Sequence, residues 1–239
     1  MRAATLLFSQ GFGTRRDCAG LVAAGRLAVG GRVLGLDDEV DAGEGLSFTV
    51  DGQVWPFQET ALVLLHKPAG YECSQRPRHH PSVLSVLPPP LRTRGVQPVG
   101  RLDEDTTGLL LLTDDGTLIH RLTSPRHHVA KVYEVRCKHP MDGGQRQRLI
   151  DGVVLDDDPR PVRAAAAELV TPQHLRLTLT EGKYHQVKRM VAAVGNRVEA
   201  LHRSAFGGLT LDGVPEPGQW RWVGHAERSL VSGAPAAAA

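Results

Sequence analysis

Leu109 to Leu112 form an unbroken apolar run, with Gly108 before it and Asp114, Asp115 and Gly116 after it. A short apolar string between turn-forming residues reads as a buried strand, so the chain must build a sheet with a covered core around it. Other segments supply that sheet. Ala61 to Leu65 is an apolar strand ending in His66-Lys67-Pro68-Ala69-Gly70, where Pro and Gly force a turn. Lys131 to Cys137 and His174 to Thr180 alternate, the second placing Leu175, Leu177 and Leu179 on one face and Arg176, Thr178 and Thr180 on the other. Further strands are expected at Val198 to Leu201 and Leu209 to Leu211. The clearest helix begins near Tyr184, because Val187, Met190, Val191 and Val194 recur at helical spacing before Gly195. Many strands, few helices and no regular βαβ alternation predict an α+β domain on a largely antiparallel mixed sheet.

The 239 residues leave room for a small domain joined to a medium one. Residues 1–51 read as the small unit. They hold a helix around Ala4 to Ser9, a break at Gly11 and Gly13, and a second helix from Cys18 to Ala24 stopped by Gly25. A tight hairpin across Gly30 and Gly31 and a strand from Leu46 to Val50 complete it. Residues 52–60, with Pro56 and few aliphatics, read as a linker, 61–231 as the larger domain and 232–239 as a flexible Ala-rich tail. Leu87 to Arg94, with three successive prolines, reads as an exposed connection.

Composition narrows the classes of function. A hydrophobic fraction of 41% with 23% charged residues fits an ordered globular chain. Three widely spaced cysteines without a CxxC pair give neither a disulfide framework nor a zinc site. No segment has the length of a membrane span and no signal-like run opens the chain, so a soluble, cytoplasmic protein is expected. The net charge is only +2, but the bases are concentrated. Arg121, Arg126, Lys131, Arg136 and Lys138 face the single acid Glu134, and Lys183, Lys188, Arg189, Arg197 and Arg203 face only Glu199. Gly11-Phe12-Gly13-Thr14-Arg15-Arg16 lacks the third glycine of a dinucleotide loop and fits a turn between helices. The doublets His79-His80 and His127-His128 have no third ligand at a metal spacing. No metal and no cofactor are expected.

The stretch Gly100-Arg101-Leu102-Asp103-Glu104-Asp105-Thr106-Thr107-Gly108 is a polar loop framed by glycines and set directly against the buried strand. Such an arrangement can present a carboxylate at a sheet edge. Continued to Gly116, this run resembles the catalytic motif of the RsuA family, the small-subunit rRNA pseudouridine synthases and their large-subunit relatives. Lys67 to Tyr71, Thr123 to His128 leading into Lys131-Val-Tyr133, Glu181 to Met190, Ala193 to Asn196 and Leu201 to Arg203 match that family in order. Residues 1–51 are similar to its S4-type RNA-binding domain, chiefly through Gly25-Arg26, Val29 and Gly31.

The resemblance implies a pseudouridine synthase that uses no cofactor, with Asp103 as nucleophile, Lys188 as the cation that keeps it ionised and Tyr133 stacking on the uracil. Helix geometry agrees for Lys188, which flanks the apolar face of its helix, whereas Arg189 points nearly opposite. Arg101 resembles the arginine inserted where the target base leaves its helix. RNA contacts are further implied for Arg15, Arg16, Arg26, Arg126, His127, Lys131, Lys183, His185, Gln186, Arg189 and Arg203. Ser124-Pro-Arg-His-His128 and the lysine of His185-Gln-Val-Lys188 are closer to the 16S branch of the family. This favours uridine 516 of 16S rRNA, within a small-subunit assembly intermediate, as the substrate of a monomeric enzyme that does not engage a membrane. The competing readings are a 23S rRNA target, a catalytically silent RNA-binding protein and a nucleobase glycosidase that would use Asp103 to release free uracil.

Overall fold

Gly30 and Gly31 both take left-handed backbone, at φ 56° and 81°, as a two-residue hairpin turn demands. They join β1 (Leu27–Val29) to β2 (Arg32–Val33), with Val29 opposite Arg32. This hairpin lies in the first of two units of the computed structural model, which describes residues 1–156 and 158–232. The first unit is Met1–Ala61 with Leu84–Gln97, and the second is Leu62–Val83 with Pro98–Ala239. Residues 233–239 of the expected tail lie outside the described residues.

In the first unit, α1 (Ala3–Ser9) and α2 (Arg15–Ala23) pack together, and α2 opens with a capping box between Thr14 and Asp17. The sheet order is β2-β1-β3-β4. β3 (Ser47–Val50) and β4 (Gln53–Pro56) meet across Asp51 and Gly52, at φ 53° and 78°. The expected linker over 52–60 is therefore corrected: its first half is a strand. Asp-Gly closes a hairpin as Gly-Gly does, and Pro56 sits at the strand's end. Phe12 packs edge-on against Phe48 and Trp55, at centroid distances of 5.8 and 5.3 Å.

The proline-rich connection is corrected as well. Pro89 and Pro90 occupy the first turn of α3 (Pro89–Thr93), where no N–H is needed, and Leu87 and Leu91 are buried. A Cβ on Gly11 would lie 2.2 Å from the Pro90 carbonyl oxygen, so only glycine permits this approach. Gln10 joins both corrected segments, because its Oε1 accepts from Gln58 N (3.0 Å) and from Arg94 Nη1 (2.9 Å).

The second unit starts with β5 (Leu62–Lys67), all six residues of which are buried. The chain passes out through the first unit and returns by β6 (Gln97–Pro98) to β7 (Thr107–Thr113), the strand anticipated from its leucines. Next come α4 (Gly116–Thr123), β8 (Lys131–Cys137), α5 (Gly143–Asp151), β9 (Val153–Leu155), β10 (Asp158–Val162), β11 (Ala166–Thr171) and β12 (His174–Leu179). The chain ends with α6 (Gln186–Ala193), β13 (Val198–Phe206), β14 (Leu209–Thr210), β15 (Trp220–Trp222) and α7 (His225–Arg228). The main sheet runs β11-β12-β8-β13-β7-β5-β15, antiparallel at every junction except β13 with β7. The expectation of a largely antiparallel mixed sheet holds.

α6 begins two residues later than its periodicity suggests, and it buries Val187, Met190 and Val191, with Val194 at its C-cap, in one cluster with Val135, Leu175, Leu177 and Leu179. Each such side chain contributes roughly 1.5–3 kcal/mol, so the helix is firmly seated on the sheet. Among the described residues, no helix is long and apolar enough to cross a membrane.

Candidate active site

The loop before β7 is shaped from beneath by a buried lysine. Lys67 ends β5 at 0% exposure. Its Nζ donates to the carbonyl oxygens of Pro68 (3.0 Å), Glu104 (3.1 Å) and Thr106 (2.8 Å), which uses all three of its donors. Burial pushes its pKa down, opposed by the Cys73 thiol and by Glu104, Asp105 and Asp103. Gly70 N donates to Glu104 O at 2.7 Å, and Thr106 N to Asp103 O at 3.1 Å. At the other end, Gly108 takes φ 107° beside the β13 backbone, where a Cβ would lie 2.3 Å from Arg203 O. The loop is thus held at both ends by backbone contacts.

Above this support stands Asp103. Its Oδ2 lies 3.1 Å from Lys188 Nζ, and its Oδ1 lies 3.3 Å from His185 Nε2. Lys188 is shared, since Nζ also donates to both oxygens of Asp105, at 2.7 and 2.9 Å. Burial pulls the Lys188 pKa down, but the hydrogen bonds to Asp105 and Asp103 and their charges outweigh it, and the net shift is upward. His185 takes left-handed backbone at φ 48° just before α6, a conformation histidine visits more than most residues. Tyr184 stacks on its ring at 3.8 Å.

These groups face a cleft of about 750 Å³ that is also lined by Tyr133, Lys131 and Arg203. Lys131 and Tyr133 alternate along β8 and so share a face. Arg203 is 3% exposed. Its Nε donates to Leu109 O at 2.7 Å, while Nη2 is buried without a hydrogen-bond partner. The Arg203 and Lys131 cations lie 5.3 and 5.4 Å from the Phe206 ring centroid. Burial, followed by the neighbouring Arg203 charge, pulls the Lys131 pKa down to about 8 against an opposing pull from Glu181. Two cations at the floor of a cleft, one with an unused donor, suit an electron-rich ligand group.

The other expected RNA contacts separate into groups. Arg101, Lys183 and His185 line the cleft with Asp103. Gln186 lines it too, but it is buried: its Oε1 accepts from Lys183 N and its Nε2 donates to Glu181, both at 2.8 Å. Its amide shapes the turn before α6 and has little left for RNA. Arg189 lies outside the lining and donates to Tyr184 O. Arg126 and His127 are exposed in a short 3-10 turn, also outside the lining. Arg15, Arg16 and Arg26 belong to the first unit. There, Arg15 lies over the Phe8 ring at 4.4 Å, and Arg26 pairs with Asp51.

In the sequence, Lys67 stands only as part of a motif and Asp105 only as a neighbour of Asp103. A lysine closing an apolar strand was a visible signal of burial, whereas nothing local signals that Asp105 shares a lysine 83 residues away. Among the described residues, no three His, Cys, Asp or Glu side chains gather as metal ligands would.

Residues 61–193 match the family model described as RNA pseudouridylate synthase. The chain is 48% identical over 172 residues to a ribosomal small subunit pseudouridine synthase A of Yersinia pestis, covering 72% of each protein. It is also 48% identical over 168 residues to the Escherichia coli (strain K12) protein of that description, covering 70% of this chain and 72% of that one. A crystal structure of a pseudouridylate synthase superposes with a TM-score of 0.68 at 30% identity, covering 97% of this chain and 99% of the other.

Proposed function

The chain belongs to the RNA pseudouridylate synthase family, and from that membership we propose that it converts uridine 516 of 16S rRNA to pseudouridine with Asp103 as nucleophile. The enzyme is an isomerase. The N1 to C1′ bond of the uridine breaks, the uracil turns, C5 bonds to the same sugar carbon, and the proton lost from C5 is matched by one taken up at N1. Nothing is oxidised, reduced or consumed. Attack of Asp103 at C1′, attack at C6 and assistance of a glycal route all require an ionised carboxylate.

One observation carries this reading: the Asp103 carboxylate stands in a cleft against the Lys188 ammonium and the His185 ring. A fixed cation favours the charged form of a carboxylate. Tyr133, in the same cleft, is assigned to stack on the uracil and assist removal of the C5 proton. Lys131 and the unpartnered Nη2 of Arg203 are assigned to acceptor atoms of the flipped nucleotide. Arg101 is assigned to fill the place the base leaves. The S4-like first unit, with Arg15 and Arg16, adds a second RNA contact.

The 16S target is supported by the small-subunit description of both curated relatives. The enzyme is taken as a monomer acting on rRNA within a small-subunit assembly intermediate. Pseudouridine mapping by carbodiimide adduct and primer extension tests the site directly. In rRNA from cells lacking the protein, the stop at uridine 516 should vanish and the other stops persist. Its persistence would refute the assignment.

A further inference from the structure

Residues 72–83 form a closed loop on the unit that carries Asp103, and one carboxylate shapes it. Glu72 Oε1 accepts from the backbone N–H groups of His79 (2.8 Å) and His80 (2.9 Å), and Oε2 accepts from that of Arg78 (3.0 Å). These three bonds pull the Glu72 pKa down to about 2. The neck is closed by Glu72 N to Pro81 O (3.0 Å), Val83 N to Glu72 O (2.9 Å) and Ser82 Oγ to Ser74 O (2.5 Å). Its base is tied to the Asp103 loop through Gly70 N to Glu104 O and through Leu102 N to Cys73 Sγ, the latter at 3.4 Å.

What the loop presents is basic. Arg76, Arg78, His79 and His80 are all exposed. Glu72 is the acid among them, yet its oxygens are engaged with backbone. Among the described residues, neither Arg76 nor Arg78 forms an ion pair with a carboxylate. Glu72, Cys73, Ser74, His79 and His80 line the cleft that holds Asp103. A carboxylate that organises backbone while leaving guanidinium groups unpaired, on a loop whose two ends line the cleft, fits a polyanion lying across that loop.

We propose that residues 72–83 are an RNA-docking loop, in which Glu72 fixes the backbone so that Arg76 and Arg78 meet phosphates flanking the target uridine. The inference rests on the RNA-modifying reading above and adds a contact surface to it. Pre-ordering the loop lowers the conformational entropy lost on binding. Arg76 and Arg78 act as phosphate contacts, and Glu72 is a positioning residue.

The test is a salt titration of affinity for a 16S rRNA fragment containing uridine 516, using full-length protein. Each lost phosphate contact lowers the slope of log K against log salt by about 0.7–0.9. The double variant Arg76→Gln/Arg78→Gln should therefore lose roughly 1.5 from that slope and raise KM for the fragment. Arg136→Gln, on an exposed position of β8, should leave the slope unchanged. Glu72→Gln should speed hydrogen exchange at the amides of residues 78–80 and lower the slope in part, which a purely structural role would not do. A wild-type slope in the double variant overturns the docking role and leaves the synthase reading intact. Failure of the wild-type protein to convert any uridine, in the fragment or in small-subunit assembly intermediates, overturns both.

Discussion

Two lysines hold the Asp103 loop, and they do so by opposite physics. Lys67, beneath it, is fully buried, bonds three neutral carbonyls and has its pKa pushed down by burial. Lys188, facing the cleft, is 27% exposed, bonds the carboxylates of Asp103 and Asp105, and has its pKa raised overall. One residue type thus sets the loop's shape from one side and its charge from the other. Shape should govern stability, and charge should govern turnover.

The largest effect should come from the group both lysines serve. Asp103→Asn keeps the volume and removes the charge, so turnover on an rRNA fragment should fall on the order of 10⁴-fold or more while circular dichroism stays native. A folded variant with near wild-type pseudouridine yield would break the mechanism. Next, Lys188→Met should lose about 10²–10³-fold in kcat with little change in Tm. Arg189→Met, altering a side chain turned to the Tyr184 carbonyl, should stay within a few-fold of wild type. Equal losses in the two would remove the distinction between the faces of α6.

Lys67→Met should do the reverse of Lys188→Met. It leaves three carbonyls, two of them in the loop, without their donor and should cost about 2–4 kcal/mol in urea unfolding. A catalytic loss without that destabilisation would merge the roles of the two lysines.

Lys131 sharpens the comparison through pH. Its folded pKa of about 8 lies below its ordinary 10.5. Below pH 8 both states hold the proton and the folded state bears the whole desolvation penalty. Between pH 8 and 10.5 the unfolded state binds more protons, so the Lys131 contribution to stability rises with pH. Lys131→Met should therefore stabilise the protein by about 2–3 kcal/mol at pH 7, a gain that shrinks towards pH 10.5. A pH-independent difference between variant and wild type would contradict the shift. The smallest effect is expected for Asp105→Asn, which removes one of two carboxylates sharing Lys188 and should lower kcat only several-fold.

Local patterns were legible without the fold. The leucines of β7, the alternation of β12 and the apolar stripe of α6 each report period and burial directly. The Gly30-Gly31 hairpin follows from backbone freedom at two positions. Local residue patterns predict an α+β chain with Asp103 in a glycine-framed loop before a buried strand, and likeness to one family supplies the chemistry. Tertiary structure decided what that chain pairs with. The strand over Gln53–Pro56 depends on a partner, β3, that composition could not reveal, and α3 depends on a glycine some 80 residues earlier that lets its backbone approach. The first unit accordingly runs to Ala61 and takes in Leu84–Gln97. In the same way, His185 and Asp105 joined Lys188 around the site only when residues some 80 positions apart met. Periodicity and backbone preference act over a few residues and leave their mark in sequence. The sharing of a cation among carboxylates is settled by distances that only the folded chain creates.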